Sequence, residues 1–530
     1  MAVPTAGPVR DANRHPSPAI TGLADLLDAQ VRRRPGAGAL VVTGDRTHLS
    51  YGTLAAVVDD VASRLAGAGL RRGDAVALVA ANSAEFVVAL LGAARAGLVV
   101  VPMDPALPES QMRARLEALG ARAMLIGPPA ADTAPIAQVD VPAWSLRVDV
   151  TRAGAATATL DTGARPLRHA QGLAHELTSE DALVLLTAGT TDRAKMVPLT
   201  HANVAASVRS ICAGYELGPD DATVAVMPLF HGHGLFATLL ASLASGGCVL
   251  LPERGRFSAR TFWHDVRAVS ATWFTAASTI HELLLERSAS EYPGPHLVPL
   301  RFVRSSSAPL DSATQRAIER TLGAPLLSAY GMTESTHQAT TEPLPQHGPL
   351  KHRSVGRPSG VDLRIVDRSG HTCPAGTVGE VWVRGPVVAR GYLGDPAGTE
   401  RSFADGWFRT GDLGSLDDDG YLFLTGRMKN LIDRGGEKIS PEHVEDVIAG
   451  CPGVVEAAVF AIPDATHGQQ VGAAVVVSEG ECVGPGEILE YARSRLSSLE
   501  VPDRLDVVAS LPHTAAGGLD RRAVQDRYGR

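Results

Sequence analysis

The sequence predicts an α/β protein, with a large amino-terminal domain of parallel-type sheets and helices, a barrel-like subdomain, and a small α+β carboxy-terminal domain. Three observations carry this expectation. From Ile20 onward, segments of 3.6-residue period alternate with short apolar runs, the pattern of largely parallel sheets covered by helices. From about Val361 the texture changes to short strands. At 530 residues the chain is also too long for one hydrophobic core.

In chain order, residues 1–18 are Pro-rich and polar and read as a flexible terminus. ADLLDAQVRRRP and YGTLAAVVDDVASRLAGAGL have helical period, whereas AVALVA, GLVVVPM, ATVAVMPL and GCVLLP read as buried strands. FVVALLGAARAGLVVVP, broken by Arg95 and ended by Pro102, reads as a buried helix followed by a strand, not a membrane span. Residues 127–178, rich in Ala, Thr and Pro, lack periodicity and are expected to form a long surface connection. VDLRIVD, GEVWVRG and GYLFLTG supply the antiparallel or barrel-like part. The last unit, from about Gly426, runs through helix EHVEDVIAG, strands EAAVFAI and VGAAVVVS, and helix GEILEYARSRL.

Composition narrows the function. A net charge of -8 argues against nucleic acid as the main partner. The five cysteines lie apart without a C-x-x-C pair, as in a reducing compartment. No apolar signal region opens the chain, so a cytoplasmic location is expected. Lysine occurs only at Lys195, Lys351, Lys429 and Lys438, and arginine supplies the rest of the 49 basic residues. A lysine that persists against such a bias is a candidate for chemistry.

Four segments invite a nucleotide-centred reading. TAGTTDRAKM follows the apolar run ALVLL and offers the hydroxyls of Thr187, Thr190 and Thr191, the freedom of Gly189 and the cation of Lys195. Such a turn can cradle phosphate, although a plain surface turn has the same look. YGMTE supplies an aromatic face at Tyr330, a hydroxyl at Thr333 and a carboxylate for magnesium at Glu334. RTGDLG places Asp412 after a glycine, where a carboxylate can accept from two ribose hydroxyls. GRMKNLIDRGGEKISPEHVE is a charged, glycine-punctuated connector at the composition shift.

Together, and in this order, the segments resemble the adenylate-forming superfamily, which holds acyl-CoA synthetases, firefly-type luciferases and peptide-synthetase adenylation domains. PLFHGHGL, SSSAPL, VGRP, GYLGDP and WFRTGDLG extend the resemblance over nearly the whole chain. PLFHGHGL and GGEKISP look most like the acyl-CoA synthetase branch. The resemblance implies a large domain over 19–425 and a mobile one over 426–530, hinged near Lys429. It implies that a carboxylate first joins ATP and that, after rotation of the small domain, CoA displaces AMP. Carried over by position, Tyr330 stacks on adenine, Ser307 and Ala308 line its edge, and Gly331 and Met332 complete that turn. Thr333 touches the α-phosphate, Glu334 holds magnesium, Asp412 binds ribose, and Arg427 meets the ribose or phosphate side. His231 lies near the reacting carbonyl, and Gly435 and Gly436 approach the pantetheine channel.

Two departures from the pattern bear on one half-reaction. In the phosphate loop, Ala188, Asp192, Ala194 and Met196 replace the family's serine, glycine, proline and glycine. Two like charges about 4 Å apart repel by roughly 4 kcal/mol at an effective dielectric of 20, so Asp192 disfavours a triphosphate. Near the end, LPHTAAGGLDRR puts Gly518 where the family's adenylation lysine stands. Loss of that cation removes transition-state stabilisation. The expectation is an acyl-CoA ligase that takes a pre-formed acyl-adenylate to CoA, with ATP disfavoured and a separate adenylating enzyme as partner. Such a division resembles that seen for platensimycin-type diterpenoid acids.

Two rival readings remain open from the sequence. In one, Lys438 or Lys429 replaces the lost lysine and the chain is a complete ATP-dependent synthetase. In the other, the chain is a silent homologue that binds an adenylate or a partner. Ala277 and Ser278, small where relatives carry larger residues, point to a bulky or long hydrophobic acid, or equally to a looser core. Arg254, Arg256 and Arg260 could meet CoA phosphates or form a solvated face.

Overall fold

The computed structural model describes residues 20–42, 46–128, 141–169, 172–187, 195–435, 437–464, 467–478, 483–513 and 518–529. The expected flexible terminus, residues 1–18, lies outside them. By its internal contacts the chain falls into two compact units, one over 1–183, 200–257 and 264–272, the other over 184–199, 258–263 and 273–530.

In the first unit, strands Ala123–Ile126, Ala75–Val79 and Val99–Met103 pair in parallel and are buried almost throughout. Helix Tyr51–Gly67 is set by Ser50, whose hydroxyl accepts from Thr53 N at 3.1 Å, and it buries Leu54, Val57, Val58, Val61 and Leu65. Helix Ala84–Arg95 leads into Val99–Met103, as the sequence predicts. A second sheet has the order Ala222–Val224, Cys248–Leu250, Gly38–Val42, Thr47–Ser50, parallel except for its last pair.

Two expectations need correction here. Within the supposed connection 127–178, strands Ala143–Val150 and Ala156–Asp161 form an antiparallel pair, and the first joins Ala123–Ile126 in parallel. AWSLRVDV alternates exposed and buried positions, a two-residue period masked by the Ala/Thr-rich composition around it. ATVAVMPL forms a strand only over Ala222–Val224. Beyond it, Asn82 donates to the carbonyls of Ala225 and Met227, each at 3.0 Å, and accepts from Leu229 N at 2.8 Å. A buried amide thus replaces part of a strand's ladder there.

The second unit holds three sheets. Trp273–Ala276, Phe302–Ser305 and Leu326–Tyr330 run parallel and are continued by antiparallel Thr340–Thr341 and Arg357–Pro358. The short-strand region is antiparallel: Asp362–Val366, Gly379–Arg384, Trp407–Leu416 and Phe403–Ala404 in order, with Leu422–Arg427 also on Trp407–Leu416. The first of these sheets is therefore mixed, whereas the second is antiparallel throughout. The carboxy-terminal sheet joins Glu437–Ile439, Ile432–Arg434, Gly468–Val477 and Val454–Asp464, with Arg504–Val507 parallel to Gly468–Val477. Helices Pro441–Ala449 and Pro485–Arg493 close its core over Val444, Ile448, Val459, Val471, Ala473, Val475, Ile488 and Ala492. Among the described residues no helix is long and apolar enough to cross a membrane.

Candidate active site

Strand Leu326–Tyr330 is buried, and Tyr330 at its end donates its hydroxyl to Asp412 Oδ2 at 2.6 Å. Asp412 stands on Trp407–Leu416 just after Gly411, whose φ of +72° turns the chain. Its own N–H donates to Thr410 Oγ1 at 3.0 Å. Arg427 is its cross-strand partner and donates from Nε to Asp412 Oδ1 at 2.8 Å. Burial pushes the Asp412 carboxyl up from the usual carboxylate range, while Arg427, the Tyr330 hydroxyl and Lys429 pull it back. Burial, then the neighbouring Asp412 charge, holds the Tyr330 phenol well above its ordinary value, so it remains a donor. Lys429 lies in the short turn Met428–Asn430, and its ammonium is pushed down by burial and by Arg427 and Lys195, against the pull of Asp412. A buried carboxylate thus shares a field with two cations, Arg427 and Lys429, and with Glu442, which opposes them.

The YGMTE turn follows directly. A side chain at Gly331 would meet the His337 carbonyl at 1.8 Å, so only glycine allows this close approach. Ser335 Oγ donates to the Met332 carbonyl at 3.2 Å, and Thr333–Ser335 form a 3-10 turn. Thr336 and His337 then adopt left-handed φ values of 49° and 80° and fold the chain back. Tyr392 donates its hydroxyl to Glu334 Oε1 at 2.8 Å, and Lys195 Nζ lies 4.1 Å from the centre of the Tyr392 ring. Thr187 and Lys195 pinch the ends of the phosphate loop, with Thr187 N donating to the Lys195 carbonyl at 3.0 Å. Ala188, Thr190, Thr191, Asp192 and Ala194 lie outside the described residues, whereas Met196 is buried at the start of strand Met196–Thr200. Ser307, solvent-exposed with φ of 76°, and half-buried Ala308 follow strand Phe302–Ser305.

Gly435 turns the hairpin between Ile432–Arg434 and Glu437–Ile439 with φ of +64°, and its N–H donates to the His467 carbonyl at 2.7 Å. Gly436 lies outside the described residues. Lys438 pairs with Asp433 across that hairpin and is partly exposed. Gly518 stands at the foot of the turn bridged by His513 and Leu519, where His513 Nε2 contacts Glu456 Oε1 at 2.7 Å. Among the described residues no group of three or more His, Cys, Asp or Glu is gathered for a metal ion. Magnesium held by one carboxylate together with substrate phosphates requires no such group, and Glu334 fits that role.

His231 belongs to the first unit. It is solvent-exposed at the head of helix His233–Leu240, a π-helix, yet surrounding protein still holds its imidazole below the ordinary value, with Asp104 opposing. A side chain at Gly234 would strike the Pro228 carbonyl at 2.3 Å, which ties the PLFHGHGL turn to its glycine.

Residues 27–393 match the family described as AMP-binding enzyme, and 443–517 match the AMP-binding enzyme C-terminal domain. The chain belongs to the AMP-binding enzyme family. Within it, the chain is 39% identical over 515 residues to an oxalate–CoA ligase of Arabidopsis thaliana, covering 96% of this chain and 98% of that one. Among solved structures, ATP-bound MatB from Rhodopseudomonas palustris aligns with a TM-score of 0.82 at 28% identity, over 96% of this chain and 99% of the other. The o-succinylbenzoate CoA synthetase from Bacillus subtilis, in complex with its acyl-adenylate intermediate, aligns at 0.79 and 27% over the same shares. This AMP-binding enzyme is an acyl-CoA ligase. Tyr392, which links Glu334 to Lys195, is a site residue that sequence reasoning quoted within GYLGDP without giving it a task. The aromatic residue inside that motif was the available signal.

Proposed function

We propose that this acyl-CoA ligase forms a thioester from a pre-formed acyl-adenylate and CoA, with the ATP-dependent adenylation step impaired. The carrying observation is Gly518: the turn that bears the family's lysine ends here in a residue with no side chain, and no lysine follows Lys438. An absent cation at the developing charge costs about 3 kcal/mol of transition-state stabilisation. In this reading Tyr330, Asp412 and Arg427 hold the adenylate's base and ribose and Thr333 its single phosphate; the hydrogen bonds that join the first three support it. In the transfer step the CoA thiolate attacks the acyl carbonyl, the acyl–phosphate bond breaks, and AMP leaves with the electron pair. His231 lies by the carbonyl in this reading, and Gly435 and Gly436 admit the pantetheine arm. A separate adenylating enzyme supplies the adenylate.

The acyl group is assigned to the hydrophobic class from Ala277 and Ser278, both buried at the start of helix Ser278–Glu286. The relative named for oxalate makes a small polar acid the necessary control. Supplying acyl-AMP with CoA, and separately acid with ATP and CoA, tests the split. Equal thioester rates from both would end it. A panel of hydrophobic acyl-adenylates beside oxalyl-adenylate tests the acyl class.

One observation favours a second reading, a complete synthetase. Lys429 stands in the field of Asp412, Arg427 and Lys195, whereas Lys438 is paired with Asp433. Pyrophosphate release that vanishes in Lys429→Ala would select it.

A further inference from the structure

Arg304 is fully buried on strand Phe302–Ser305, and its guanidinium reaches Thr275, His337 and Gln338. Its Nη1 donates to Thr275 Oγ1 at 3.0 Å on the adjacent parallel strand. Its Nη2 donates to His337 Nε2 at 3.1 Å and to Gln338 Oε1 at 3.2 Å. Its backbone carbonyl accepts from His281 Nε2 at 3.1 Å. Guanidinium nitrogens only donate, so His337 Nε2 must accept, and the proton of that neutral ring sits on Nδ1. Burial and the Arg304 charge both hold the His337 imidazole well below its ordinary value, which agrees with this tautomer. His337 and Gln338 close the turn that begins at Thr333 and Glu334, and the turn's left-handed residues need an outside constraint.

We propose that Arg304 is a positioning residue for the ligase reaction: through His337 and Gln338 it anchors the Thr333–Glu334 turn to the sheet and fixes His337 as the Nδ1–H tautomer. A buried charge is a poor way to stabilise a core, since a well-packed apolar side chain is often as stable or better. What the guanidinium adds is a fork of fixed geometry that spans Thr275, His337 and Gln338 at once. The consequence falls on the group at the phosphate, not on the base or ribose contacts at Tyr330 and Asp412.

This inference rests on the acyl-adenylate reading, so its test pairs turnover with two readouts independent of it. Turnover of acyl-adenylate should fall about a hundredfold in Arg304→Met, the scale of a misplaced reacting group. AMP affinity should fall clearly less than turnover, because the base and ribose contacts at Tyr330 and Asp412 stay in place. Thr275→Val, close in volume and the milder change, should lower turnover in the same direction by about threefold to tenfold. It decides the matter if Arg304→Met does not fold. Nitrogen-15 spectra of labelled histidine, assigned with His337→Asn, should show an Nδ1–H ring in the wild type and mixed tautomers in Arg304→Met. Unchanged turnover in both folded variants, AMP affinity lost in step with turnover, or an Nε2–H ring in the wild type would each overturn the proposal. If the wild type forms no thioester, the functional reading fails, and the spectra still decide the role of Arg304.

Discussion

The Tyr330–Asp412–Arg427 cluster and the segment around Gly518 are the two regions on which the proposed split rests, and they differ in how much side-chain chemistry each carries. In the first, a buried carboxylate is held by a phenol at 2.6 Å and a guanidinium at 2.8 Å, with register, burial and charge all in agreement. In the second, His513 and Leu519 are bridged and His513 reaches Glu456 at 2.7 Å, while Gly518, where the family's lysine is expected, bears no side chain. The His513–Leu519 bridge depends on backbone pairing, which a side chain at Gly518 is not needed to make. Stability and chemistry are therefore separable in this region. In the cluster they are not.

Restoring the cation tests this contrast most strongly. Gly518→Lys should raise pyrophosphate release from acid and ATP by about a hundredfold, the scale of one preorganised donor, and leave transfer from acyl-adenylate within a factor of about two. No gain in pyrophosphate would move the block to the Asp192 loop. Next comes Gly331→Ala, which presses a methyl group on the His337 carbonyl and should cost about 1–3 kcal/mol of stability while displacing Thr333 and Glu334. Normal denaturation and normal turnover in that variant would show that the turn tolerates movement.

A smaller effect concerns the support of the cluster. Glu342 is fully buried and accepts from Ser328 N at 3.1 Å, on the strand that ends in Tyr330, and from Lys351 N at 3.1 Å. Burial raises its carboxyl from 4.5 to about 8. The folded state thus holds the proton more tightly than the unfolded one, and stability falls as pH rises from about 4.5 to about 8. Glu342→Gln should flatten that dependence, which for a lone group reaches about 1.4 kcal/mol per pH unit; parallel melting profiles for the two proteins across this window would refute it. Smallest of all, Lys438→Met should leave both half-reactions within about twofold, as expected for a solvent-facing pair. A loss of pyrophosphate release there would revive Lys438 as the adenylating cation.

Much of the fold was legible because period and burial coincide. Helices Tyr51–Gly67 and Ala84–Arg95 and strands Ala75–Val79 and Val99–Met103 carry their pattern openly. Strand Ala143–Val150 did not, since small and polar residues half-expose its alternation. Asp412 and Arg427 could be named from motifs, but their direct pairing needed the register of two strands to be known. Arg304 gave no signal at all, because in RFVRSSS it reads as one arginine among many.

The sequence by itself determined most of the element order outside 127–178, the family and the absence of a lysine after Lys438, all of which depend on residue identity and local spacing. Only the tertiary structure decided which charges share a field, which tautomer His337 adopts, and that Tyr392 links Glu334 to Lys195. Those are properties of distance and burial between residues far apart in the chain, where dielectric and hydrogen-bond geometry are set by the packed surroundings.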